Sequence, residues 1–210
     1  TTPPREGTSI EKAEESCKKL VARSSVLATD GFIVYDIQDE KGRTNLERPF
    51  PFRKTLDSSW YASLFPKYSG KQCVVYKSVV EESIESFDEW LNHAIYKNKH
   101  TAFNLVGAAS SSISYKGPNL QQAARHSKAR GDCSFGCVAI PERHMKKGGE
   151  PANMFQKSQW GAEWFITQGV YSVHPIIKLI NEYGDLCKNE GVRPKKMIIT
   201  FAPCGREKTM

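Results

Sequence analysis

Short apolar runs rich in β-branched and aromatic residues alternate with stretches of helical spacing along nearly the whole chain, and this alternation limits the fold more than any other feature. The runs "GFIVYDI", "QCVVYKSV", "TAFNLVGAA", "SFGCVAI", "EWFITQGV" and "KKMIITFAP" read as strands. Between the second and third, "SIESFDEWLNHAIYKN" sets Ile84, Phe87, Trp90, Leu91 and Ile95 on one helical face. Further helices are predicted from about Ser58 to Phe65 and over "NLQQAARHSKA", "NMFQKSQWGA" and "VHPIIKLINEYGDLCKNEG". A leading helix spans Ile10–Ala22, with Ser9 as its N-cap and Ile10, Ala13, Cys17 and Leu20–Val21 at helical spacing. Strands that are apolar on both faces and separated by helices require a parallel sheet covered by helices.

Two architectures meet that requirement, a doubly wound open sheet and a closed barrel of eight βα units. No G-x-G-x-x-G turn follows the first strand, which removes the main support for a dinucleotide-type open sheet. Polar side chains instead collect at the C-terminal end of nearly every strand: Asp36, Gln38 and Asp39; Tyr76 and Lys77; Ser110 to Ser112; Glu142 and His144; Gln168 and Tyr171; Pro203 and Cys204. Active sites of (β/α)8 barrels are built on that face. The expected fold class is therefore α/β, a (β/α)8 TIM-type barrel, as one domain over residues 1–210.

Composition narrows the function classes. A formal charge of +7, from 30 Lys and Arg against 23 Asp and Glu, favours anionic ligands. The cations are scattered, however, with short clusters at Lys146-Lys147 and Lys195-Lys196 where loops are expected, and no arginine-rich tract or nucleic-acid module is present. A solvated basic surface is favoured over nucleic-acid binding. No apolar run approaches the length of a membrane span, and Thr1–Gly7 has no apolar h-region, so no signal peptide is read there. Six cysteines without a CxxC pair point to a reducing, cytoplasmic compartment, with Cys133 and Cys137 placed to share one side of a strand.

The chemistry-bearing segment is "GCVAIPERH", residues 136–144. Pro141 lacks an N–H and ends the strand, so Glu142 and His144 leave the barrel wall over its mouth. Glu142 there serves as a general acid or base, or pairs with Arg143 or a lysine; His144 protonates, meets a phosphate or acts as an ordinary loop residue. Gln168, at the end of "WFITQ", carries a donor and an acceptor together, which suits a heterocycle edge or a tie between two strands. Lys157 lies in the helix eleven residues upstream of Gln168. Asp36, Asp39 and Glu40 crowd one strand end, but no histidine stands at a supporting spacing, and no metal is assigned. The small-residue loop "GAASSSIS" either admits a phosphate to its amides or is a flexible connection.

Taken together, "GCVAIPERH", a helix bearing Lys157, "GAEWFITQGVY" and a strand ending "FAP" resemble the methylenetetrahydrofolate reductase family of flavin-dependent barrels, and "TTPPREGTS" is similar to that family's first strand exit. The resemblance implies FAD as cofactor, NADH or NADPH as electron donor and a one-carbon folate as substrate. It places His144, Lys157, Glu150 and Tyr35 at the flavin, and Gln168 and Tyr171 at the pterin. Gln168 and, as a secondary acid read from its place after Pro141, Glu142 are the candidate catalytic residues; the family's catalytic glutamate falls just before Thr1. The family's flavin-binding aspartate falls at Ala108, and the tyrosine of its "YPE" element is Ile140 here. The family's first and last strands are expected to lie outside this sequence. The alternative is a barrel relative without flavin, binding a folate-like or phosphorylated small molecule as lyase, transferase or partner subunit. A homo-oligomer is compatible with either reading, and the long segment 39–56 is expected to form a lid or subunit contact.

Overall fold

Helix starts follow side-chain chemistry. Ser9, Asp57, Ser83 and Asn119 each accept a hydrogen bond from a first-turn N–H, of Lys12, Trp60, Ser86 and Gln122 respectively, and Gln122 returns one to complete a capping box. The computed structural model of the protein describes residues 1–39, 51–108 and 114–201. The elements run α1 (Ile10–Ser24), β1 (Phe32–Val34), α2 (Ser58–Ser69), β2 (Cys73–Ser78), α3 (Ile84–Asn92) with a π turn at His93–Lys97, β3 (Ala102–Val106), α4 (Leu120–Arg130), β4 (Ser134–Ala139), α5 (Pro141–Lys147), α6 (Glu150–Gln159), β5 (Trp164–Val170), α7 (Val173–Asn189) and β6 (Lys196–Phe201). They form two compact units, Thr1–Ser134 and Phe135–Met210.

In the first unit β1, β2 and β3 pair in parallel, with Phe32 opposite Cys73 and Tyr76 opposite Asn104. Alternation along the strands sends Phe32 onto Phe65 of α2 (ring centroids 4.5 Å) and Phe103 onto Trp90 of α3 (5.6 Å). These rings, with Phe87, Leu91 and Leu105, are fully buried or nearly so, apart from the half-buried Phe32 and Trp90. Each such burial is worth about 1.5–3 kcal/mol.

In the second unit β4, β5 and β6 pair in parallel. Phe165 points to α7, where it meets Tyr183 edge-on (5.8 Å). On the opposite face Trp164 lies across Gly136, where a Cβ would stand 2.1 Å from the indole Nε1, so the ring occupies the space that a side chain would need. Between Ile166 and Gly169 the register with β6 shifts, three steps on β5 matching two on β6. That β-bulge puts Gly169 on the face of Ile166 and swings Gln168 out of the alternation.

Several expectations are corrected. Pro141 opens α5 at its first position, where a missing N–H is harmless, so Glu142 and His144 belong to a helix and not to a loop. Lys146 and Lys147 form that helix's last turn. Ile10 is 61% exposed, and α1 buries only Ala13 and Cys17. The six expected strands are all found among the described residues, two fewer than a complete barrel has. Glu40, most of the segment 39–56, Ser110 to Ser112, Pro203 and Cys204 lie outside the described residues. Cys17, Cys73, Cys137 and Cys187 are free thiols, and no helix among the described residues is long and apolar enough to cross a membrane.

Candidate functional site

The residues singled out in the second unit fall into two sets. Glu150, at the start of α6, is fully buried and serves as a hub. Its carboxylate accepts from the Ile140 N–H at 3.1 Å, from Arg143 Nε at 2.9 Å and from Arg143 Nη2, and Lys157 Nζ stands 3.9 Å away. Lys157, one turn from the end of α6, donates to the carbonyl of Val138 at 2.8 Å, with a side chain only 12% exposed. Burial pushes its amine below the ordinary lysine range, and nearby Glu150 partly offsets this. These contacts tie α5 and α6 to the end of β4. Glu150 and Lys157, expected on the flavin's ribose and phosphate side, are directed into the unit itself.

The second set is unsatisfied. His144 is 4% exposed; its Nε2 stands 3.0 Å from Glu182 Oε2 on α7, an ion-pair distance if the ring is protonated, and neither ring nitrogen has a hydrogen-bond partner. Glu142 has a buried Oε1 without a partner. Gln168 is exposed at the bulge, and no hydrogen bond to its carboxamide is found among the described residues. Tyr171 is 56% exposed, its ring lying over Gly169 with its edge 3.5 Å from where a Cβ would be. An exposed carboxamide at Gln168 and a half-exposed phenol ring over its neighbour Gly169 thus lie at the C-terminal end of β5, the first offering a donor and an acceptor and the second an aromatic edge. No hydrogen bond or ion pair among the described residues joins His144, Lys157 and Gln168.

Tyr35 belongs to the first unit, just past β1. Its N–H donates to Thr1 O at 2.9 Å and its ring meets that of Tyr76 at 4.4 Å. Asp36 accepts from the Ser78 N–H (2.8 Å) and from Gln38 (2.7 Å); burial raises its pKa against the opposing pull of those bonds. Asp39 accepts from the Lys54 N–H at 3.0 Å. Asp36 thus secures the end of β2, and Asp39 the loop backbone at Lys54. A surface cavity of about 600 Å³ in this unit is lined by Ser83, Lys116, Gln122, Arg125 and His126 among others, and none of Tyr35, Glu142, His144, Glu150, Lys157, Gln168 and Tyr171 lies in it.

Sequence reading passed over Asn104. It is fully buried on β3, and neither its Oδ1 nor its Nδ2 has a hydrogen-bond partner. The signal was available, since an asparagine inside "AFNLV" is as anomalous as the glutamine that ends "WFITQ".

No family model and no curated protein matches the chain. Among solved structures it is similar to an uncharacterized protein from Clostridium thermocellum that binds two copies of 5-methyl-5,6,7,8-tetrahydrofolic acid, with 29% identity and a TM-score of 0.79 over 97% of this chain and 65% of that one. This chain therefore spans just under two thirds of that relative's length. A second likeness, at 14% identity and a TM-score of 0.51, covers 94% of this chain and 68% of a protein from Coccidioides immitis assigned as a deoxyribose-phosphate aldolase. The fold these likenesses show is TIM-barrel-like.

Proposed function

We propose that this chain binds a reduced one-carbon folate on its TIM-barrel-like fold, and that Gln168 and Tyr171 meet the pterin. The observation that carries the reading is the similarity, along almost the whole chain, to a protein that binds 5-methyltetrahydrofolate. The site is consistent with it. Gln168 presents a donor and an acceptor without a hydrogen-bond partner among the described residues, at the end of a strand where barrel ligands bind, and a pterin edge presents the complementary pair. Tyr171 supplies an aromatic wall, and Glu142, with its unpaired buried oxygen, is the acid nearest in sequence to the strand end of β4.

The resemblance to methylenetetrahydrofolate reductases adds a flavin and a nicotinamide donor, and when bound the flavin supplies hydride transfer. The residues present do not fit it. Lys157 is bonded to Val138, Glu150 and His144 are buried, and Ala108 stands where the family has its aspartate. We therefore favour the relative without flavin, a folate-binding lyase, transferase or partner subunit.

The test is calorimetric titration of the full chain with 5-methyltetrahydrofolate. Wild type should bind, and Gln168→Ala should bind about tenfold more weakly, a loss of about 1.4 kcal/mol. Equal affinity would remove Gln168, and absence of wild-type binding would remove the function. Added FAD should leave the protein colourless after desalting; a retained flavin spectrum would restore the oxidoreductase reading.

A further inference from the structure

We infer that the first unit holds a heterocycle-binding position of its own, built on Asn104 with Tyr76 and Tyr35, so that the protein takes one folate ligand in each unit. The inference rests on the folate reading above. Strand contacts settle which face is meant. Phe103 lies against Trp90, and Lys77, paired opposite Leu105, holds its Nζ 5.0 Å over the same indole, so Leu105 and Phe103 face the helices. Asn104 and its partner Tyr76 therefore share the other face. Continuing the register from Val34 opposite Val75 sets Tyr35 beside Tyr76, in agreement with the 4.4 Å separation of their rings.

That face thus has two phenol rings in contact, tilted by 48° to each other, and one carboxamide. Tyr76 is 5% exposed and Tyr35 half-buried, which makes Tyr35 the outer member whose rotation admits a ligand. Asn104 is at 0% exposure with both polar atoms unpaired. Nothing in the unit's fold needs an amide there, because a leucine of the same shape would fill the position without stranding a donor and an acceptor. A bound pterin edge supplies the missing partners. The second unit repeats the composition with different residues, Gln168 as the carboxamide and Tyr171 as the ring.

The experiment is the binding stoichiometry of 5-methyltetrahydrofolate on the full chain, with thermal unfolding in parallel. Wild type should take up two ligands per chain. Asn104→Leu should unfold at the same temperature or higher and take up one, and Asn104→Ala, included in case leucine overfills the site, should also take up one. In both variants p-aminobenzoylglutamate, which lacks the pterin, should bind as it does to wild type. Gln168→Ala should weaken the other position and leave Asn104's intact. Two ligands on both Asn104 variants, or one on wild type that Gln168→Ala weakens, would overturn this assignment and leave the folate reading standing. No uptake by wild type would overturn the folate reading itself.

Discussion

Glu150 and Glu142 lie in adjacent helices of one short segment, and the chain treats them in opposite ways. Glu150 is buried among a backbone N–H, a forked arginine and a lysine, so each oxygen has a cationic or dipolar neighbour. Glu142 has a buried oxygen with no hydrogen bond, and two residues on the ring of His144 makes none either, its Nε2 standing 3.0 Å from Glu182. The contrast separates polar groups that hold the structure from those that the structure leaves open. A buried carboxylate that has lost its solvent is tolerable only with such compensation. Unpaired groups, by contrast, mark where stability alone does not explain the residue.

The largest effect should come from the satisfied set. Glu150→Ala leaves Lys157 as a buried cation without its counter-charge and frees the Ile140 N–H, and should lower stability by about 3–5 kcal/mol in urea unfolding. A loss below about 1 kcal/mol would erase the distinction between the two glutamates. Next in size, Gln168→Ala should change folate affinity about tenfold while shifting stability by less than about 0.5 kcal/mol, as an exposed side chain should. His144→Leu should alter stability by less than about 1 kcal/mol, since neither nitrogen makes a hydrogen bond and the ion pair lost is with a half-exposed carboxylate that water can solvate; a larger loss would move His144 into the structural set.

The smallest effect is a pH dependence. Lys157 titrates below its ordinary 10.5 in the folded state because burial disfavours its charge. Between the lowered value and 10.5 the unfolded chain holds a proton that the native chain has released, so stability should rise with pH across that window. Below it both states are protonated, and the unfavourable contribution is constant. The difference between wild type and Lys157→Met, followed by urea midpoints at rising pH, isolates this group. A difference that falls with pH would mean that the Glu150 attraction outweighs desolvation.

Much of the fold was readable from the chain. The six strands appear where the β-branched runs lie, and the caps Ser9 and Asn119 begin their helices as their side chains dictate. The misreading of Pro141 has a simple cause, because a proline that ends a strand is equally suited to the first position of a helix. At the site, Gln168 was legible as an amide ending an apolar strand. Asn104 was equally legible and was missed, because the eye follows strand ends and it lies mid-strand.

Residue order by itself determined the alternation of strands and helices, the parallel pairing that this alternation requires, and which positions are apolar, because local backbone preference and hydrophobic period are properties of short segments. Which polar side chains find partners was decided only in three dimensions. Lys157 reaches Val138 across nineteen residues of chain, and a bulge against β6 turns Gln168 outward. Hydrogen bonds form between groups that packing brings within about 3 Å, and no period in the sequence encodes that distance.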